Sequence, residues 1–346
     1  MSHGSHIYVT VTSKNAAELT SVVTSEPILV DMTAPIIHSV LDGPSEYDID
    51  FGSDDKSISL RWSASDPESG IDYCEWAIGL EPGLDDVLPS TVSSDSESKV
   101  IADLSGVMVE GQKLFSTVKC FNNVGRSSWK ASDGVTIVTE PPSSLVAVVK
   151  VKAVSDTAYA TLDGYQSQNS SIKASWEGFM DPFGIHFYQC RLTGGSLSTS
   201  PWKRCGSASE EHLNWLNVTL DDDATYSLSV RAVNQADLIS RAITQNFTVE
   251  TSKPRSQDLT YLTSAWHGNG TVDLSWDGLF VSSSPLYFEV SIGTILGGSD
   301  VMQWVETMNT GMRVSPLVSH TDYYLTVTAI NAAGLPQTVN NIIYYV

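Results

Sequence analysis

The residues able to do chemistry in this chain are scattered rather than grouped. Its seven histidines are His3, His6, His38, His186, His212, His267 and His320. None lies in a metalloprotease-type spacing, and no cysteine pair has the spacing of a zinc finger. The sequence holds no nucleophile elbow, phosphate-binding glycine loop or dinucleotide fingerprint. Carboxylates are the remaining candidates, because 40 acidic against 19 basic residues leave a formal charge of −21. Loop carboxylates suit Ca2+, which takes about six to eight oxygen ligands. The densest run is EYDIDFGSDD, and its Asp48, Asp50, Asp54 and Asp55 are candidate Ca2+ ligands. The segment does not match an EF-hand loop, since its glycine is displaced and the closing glutamate is absent. Solvated acidic loops that aid solubility and keep sandwich edges from pairing are the plainer expectation, and no other cofactor is expected. Asp66 with Glu68, Asp85 with Asp86, and Asp221 to Asp223 form smaller groups.

Such a charge argues against nucleic acid and anionic membrane surfaces as partners. No run of 18 apolar residues is present, so no helical membrane insertion is expected. MSHGSHIYVT contains no apolar leader. Either a leader has been removed or the chain is a segment of something longer.

The elements that would position these residues repeat along the chain. IYVTVTSKNAAELTS (7–21), LFSTVKCFNNVGRSS (114–128), YSLSVRAVNQADLIS (226–240) and YYLTVTAINAAGLPQ (323–337) are variants of one block. Each strand closes on an asparagine: Asn15, Asn122, Asn234 and Asn331. A spacing of about 100 residues suits a whole small domain in tandem. A second block alternates apolar and polar residues up to Trp62, Trp176 and Trp276, the period of a half-buried strand. The strand after each tryptophan puts Cys74, Trp76 and Ile78 on one face, as it does Tyr188, Cys190 and Leu192, and Phe288, Val290 and Ile292. Helical periodicity is absent, and turn residues recur every 8 to 12 positions or so, which reads as all-β sandwiches. Proline-containing junctions at 30–35, 138–144 and 249–254 then divide the chain. Residues 1–32 hold the last strands of an incomplete repeat, and 33–140, 141–253 and 254–346 are complete ones. Trp129, Trp202, Trp215, Trp266 and Trp304 have no clear core position and could pack on strand edges or anchor a partner.

These blocks resemble fibronectin type III domains. The resemblance rests on Trp176, Leu220, Tyr226, Val230, Ala232 and Asn234 in one repeat, and on Trp276, Leu317, Tyr323, Val327, Ala329, Asn331 and Gly334 in the next. The repeat at 33–140 departs from the pattern, with Leu114 in place of the tyrosine and Cys120 in place of the alanine. Its loop there is expected to differ. WAIGLEPGLDDV and VSIGTILGGSDV resemble a fibronectin-III-like repeat of large extracellular animal proteins, whereas YQCRLTGG with PWKRC resembles an Ig-like variant with a cystine hairpin. The resemblance implies that the strands carrying Cys74 and Cys120 are neighbours in one sheet, so Cys74 pairs with Cys120. Cys190 pairs with Cys205 if residues 188–192 and 201–205 form a hairpin, a closure that stabilises by about 3 kcal/mol in the chain-entropy model.

Cystines and the resemblance imply an extracellular, secreted or cell-surface location. The sequons at Asn169, Asn217, Asn246 and Asn269 are then N-glycosylation candidates. About three sequons would arise by chance from the composition alone, so their number decides nothing. The expected function is non-catalytic: an adhesive, structural spacer whose partners are other proteins, neighbouring repeats or copies of itself. The alternatives are a ligand-binding receptor ectodomain, a filament subunit completed by strand addition, and an accessory module of a secreted enzyme. Non-reducing peptide mapping is expected to recover the 74–120 and 190–205 pairs. A 120–190 link or free thiols would contradict the pairing.

Overall fold

The computed structural model describes residues 1–152, 158–197, 200–206, 210–213 and 219–345. The chain forms two compact units, residues 1–141 with 235–238, and residues 142–234 with 239–346. No helix among the described residues is long and apolar enough to cross a membrane.

The first unit opens with an antiparallel hairpin, Thr10–Lys14 against Thr20–Thr24, every residue of which is exposed. A sandwich follows. One sheet runs Glu97–Asp103, Ser57–Ser65, Ile36–Asp42. The other is built on Lys113–Asn122, flanked by Ile71–Gly79 and then Leu88–Ser93. Strict alternation in SISLRWSAS turns Ile58, Leu60, Trp62 and Ala64 inward. The last strand is broken: Ser127–Ala131 pairs with Thr117–Phe121, and Val135–Ile137 pairs with Lys113–Leu114. Between the two pieces lie Ser132, Asp133 and Gly134.

The second unit holds two sandwiches, one with three strands facing five and one with three facing four. In one, Val148–Lys152, Ile172–Glu177 and Glu210–Leu213 face a sheet containing Lys203–Gly206, Ile185–Gly194, Ala224–Asn234 and Ile243–Val249. In the other, Thr263–His267, Thr271–Ser275 and Gly311–Val314 face Met302–Thr307, Leu286–Gly293, Thr321–Asn331 and Pro336–Tyr345. The last strand is continuous in the third sandwich, and in the second it is interrupted between the Ile239 bridge to Val233 and Ile243–Val249.

The cores are variations on one lattice. Trp62, Trp176 and Trp276 are all buried, each with an indole N–H lacking a partner. Opposite residues at one register position are Tyr188 and Ala232 in the second sandwich, Phe288 and Ala329 in the third, and Cys74 and Cys120 in the first. A large and a small side chain are thus exchanged for two of middling size, which conserves volume. Those two cysteines are bonded, with Cα atoms 4.0 Å apart. Cys190 and Cys205 are bonded one pleat further along, across the edge of their sheet.

Tyr226 and Tyr323 begin the long strands and tie down the preceding loops. The Asp221 amide donates to Tyr226 Oη at 2.8 Å and the Val318 amide to Tyr323 Oη at 2.8 Å. Leu114 leaves no such hydroxyl in the first sandwich. Gln112 takes over, its side-chain carbonyl accepting from the Val109 amide at 3.1 Å. Tyr226→Phe and Tyr323→Phe are each expected to lower unfolding free energy by about 1–2 kcal/mol, read by urea denaturation, because a loop amide loses its acceptor.

Candidate functional site

Part of the acidic excess has a structural task. Asp54 accepts from the Lys56 amide at 2.9 Å and the Ser57 hydroxyl at 2.6 Å, and these bonds, the Ser57 one first, hold it below the usual carboxylate range. Asp86 takes the Leu80 amide at 3.0 Å, and Asp300 takes the Thr294 amide at 2.9 Å in the matching loop of the third sandwich. Asp222 accepts from the Thr251 amide at 2.6 Å, and Asp221 from the Ser196 amide at 2.7 Å. Asp273 holds Arg313 Nε at 2.6 Å and His267 Nε2 at 2.8 Å, and the Arg313 bonds above all hold its carboxyl far below the usual range. Loop carboxylates that cap backbone N–H groups are part of the turns themselves.

One group of carboxylates lies where the first unit leads into its sandwich. Asp31, Asp66 and Glu68 each place an oxygen within 4.8 Å of the others. Donors surround them. Asn122 Nδ2 reaches Asp31 at 2.8 Å and Asp66 at 2.9 Å, Ser69 Oγ reaches Asp31 at 2.5 Å, and His3 Nε2 lies 3.2 Å from Glu68. Asp31 is accordingly held below its ordinary range, by the Ser69 hydroxyl first and the Thr33 amide next.

The second group differs. Asp42, Asp48 and Asp133 also place oxygens within 4.8 Å of one another. Asp42 closes the strand Ile36–Asp42 and points inward beside Val40, with no exposed surface. Its Oδ1 accepts from Ser116 Oγ at 2.6 Å, and its Oδ2 has no hydrogen-bond partner. Gly43 turns the chain at φ +109°, where a Cβ would come 2.8 Å from Ile49. The loop then returns so that Asp48 accepts the Asp42 amide at 2.6 Å. Asp133 arrives from the broken last strand, where the Ser116 amide donates to Ser132 Oγ at 3.0 Å and Gly134 sits at φ +91° against Phe115. Burial first, then repulsion from Asp48 and Asp133, pushes the Asp42 carboxyl up to about 6 against the opposing Ser116 and Ser132 hydroxyls. Asp48 is also raised, by burial first and by repulsion from Asp133 and Asp50.

Of the four sequence candidates for Ca2+, the structure brings only Asp48 into this group. Asp50 lies near enough to repel it, Asp54 caps its own turn, and Asp55 makes no part of the cluster. Asp42 and Asp133 escaped the sequence reading. The available signal was a carboxylate on the inward phase of an alternating strand.

Asn169 is half-buried, whereas Asn246 and Asn269 are exposed. Asn217 and Trp215 lie outside the described residues. Trp129 and Trp304 are exposed, and Trp202 packs against the guanidinium groups of Arg231 and Arg191, at 4.1 and 4.6 Å from the ring centre.

No family model matches the chain, and no curated protein matches it. Among solved structures it is similar to the FN1–FN3 domains of chicken CNTN1, at 14% identity over 90% of this chain and 97% of that one, TM-score 0.33. It is similar to a run of titin domains at 13% identity over 90% and 98%, TM-score 0.34. A two-domain fibronectin type III segment of chicken tenascin matches at 13% identity over 59% and 99%, TM-score 0.25. The chain's own strands make it all-β, a tandem array of antiparallel β-sandwiches.

The buried Asp42 makes a pH-dependent contribution. Its folded pKa lies above the unfolded value, so the fold is favoured while Asp42 is protonated and loses that contribution as pH rises from about 4 through 6. Asp42→Asn is therefore expected to stabilise the first sandwich in EDTA buffer at pH 7.5 by about 3 kcal/mol, with the gain vanishing below about pH 4. Denaturant melts across that pH range provide the check.

Proposed function

We propose that this chain is a non-catalytic segment of an extracellular matrix or cell-surface protein, serving as a spacer and protein-interaction scaffold. The repeats are 33–140, 141–253 and 254–346, with 1–32 the end of a preceding one. One observation carries this reading: junction carboxylates are spent on gripping the next repeat. In the second unit Glu250 is buried at 2% exposure and accepts from the hydroxyls of Ser282, Ser283 and Ser284 at 3.0, 2.9 and 2.5 Å. Asn331 Nδ2 donates to the Ser252 carbonyl at 3.0 Å across the same junction, and the Leu162 amide donates to the Ala332 carbonyl at 2.8 Å. In the first unit Asp31 grips Ser69 and Asn122 in the same manner. A linker whose polar groups are satisfied by the following domain resists bending, as a spacer requires. Two cystines support an oxidising compartment.

A second reading has its own support. The hairpin Thr10–Thr24 exposes Val11, Val22 and Val23, and an unpaired, partly apolar strand pair can accept strands from another chain. Removing residues 1–30 would then abolish concentration-dependent association in sedimentation runs.

For the spacer, the expected outcome is specific. With one spin label on each of the second and third sandwiches, the full chain gives a narrow distance distribution by pulsed electron resonance. Glu250→Ala broadens it while leaving both sandwiches folded by circular dichroism. An equally broad distribution in the unsubstituted chain would refute the rigid junction.

A further inference from the structure

We propose that Asp42, Asp48 and Asp133, at the break in the last strand of the first sandwich, form a calcium-binding site. This goes beyond the spacer reading and does not depend on it.

The first support is the orphaned oxygen. Asp42 is fully buried, one of its oxygens is held by Ser116, and the other has no partner. A buried carboxylate oxygen without a donor is costly, and a bound cation is one of the few things that offsets it. Among the described residues no lysine, arginine or histidine forms a salt bridge with any of the three. The Asp31 group is the internal contrast. It too gathers three carboxylates, yet Asn122, Ser69 and His3 already hold them.

Geometry and ligand chemistry select the ion. The three oxygens lie within 4.8 Å of one another, near enough for one ion to touch all three, and calcium accepts such hard oxygen donors in flexible geometry whereas magnesium demands a near-ideal octahedron. The donors are hard carboxylates, with no imidazole or thiolate to favour zinc. Asp48 and Asp133 are exposed, which gives the ion an entry path and leaves room for the waters that complete its shell. The strand break is what admits Asp133. The third sandwich has an unbroken last strand, and in the second the residue after the matching serine, Ser240, is Arg241 rather than an aspartate, so the site is particular to the first. Irregularities of this kind re-aim side chains beside functional sites.

The test uses the full chain stripped with EDTA and titrated with CaCl2 by calorimetry, with thermal melting in parallel. One dominant site is expected, with Kd of about 10⁻⁴–10⁻³ M, the range of extracellular calcium modules, and a higher melting temperature with calcium. Asp133→Asn removes an exposed carboxylate while keeping a side chain of the same shape, and Asp48→Asn keeps the acceptor for the Asp42 amide, so both should fold. Each is expected to weaken binding at least tenfold and to abolish the melting shift. Asp66→Asn with Glu68→Gln should leave calcium affinity unchanged. The proposal is overturned by the absence of heat and melting shift up to about 10 mM CaCl2, by binding that survives both single substitutions, or by binding lost in the Asp66 and Glu68 variant.

Discussion

A buried asparagine at the end of each long strand connects the turn, the sandwich and the linker. Asn122, Asn234 and Asn331 are almost wholly inaccessible. The side-chain oxygen closes the following turn: Asn122 Oδ1 accepts from the Arg126 amide at 2.8 Å, and Asn331 Oδ1 from the Leu335 amide at 2.8 Å. The side-chain nitrogen then reaches out of the hairpin. Asn122 meets the linker residue Asp31, Asn331 meets the Ser252 carbonyl, and Asn234 meets Asp181 at 3.0 Å in the neighbouring loop. A buried carboxamide must satisfy both ends. Doing so fixes the hairpin, and with it the approach of the linker wherever the partner lies there. Asn15 closes its own turn in the same way, through the Ala17 and Leu19 amides at 3.0 Å.

Against that frame the acidity of the chain has a local rather than a global meaning. A net charge of −21 invites a search for cationic partners. Much of it resolves into carboxylates that cap turns or bind linker hydroxyls, each gaining charge-assisted hydrogen bonds. Asp42 stands apart because it is buried with an oxygen unanswered. The energetic rule that makes the caps stabilising makes this residue expensive, which is why it marks a site.

The cores show how far composition varies under one geometry. An aromatic with alanine, or two cysteines, fills the same register position. Interior volume is what the lattice requires, and a cystine adds a covalent constraint on the unfolded chain. The tyrosine hydroxyl at the loop corner is similarly replaceable. Where Leu114 lacks it, Gln112 supplies a local acceptor instead.

The sequence by itself determined the all-β class, the strand phases and the tandem repetition. Each of these rests on local alternation and on turn residues, and alternation fixes which side chains face inward without reference to anything distant. Trp62, Trp176 and Trp276 could be assigned to the core on that basis alone. The site could not be assigned. EYDIDFGSDD drew attention because its carboxylates are neighbours in the chain, yet only Asp48 is used. Its companions come from the end of one strand, 6 residues earlier, and from a break in the last strand, on the opposite sheet. Whether a carboxylate is capped or orphaned depends on which donors the folded chain carries to it. That is a property of packing between distant segments, and only the tertiary structure decided it.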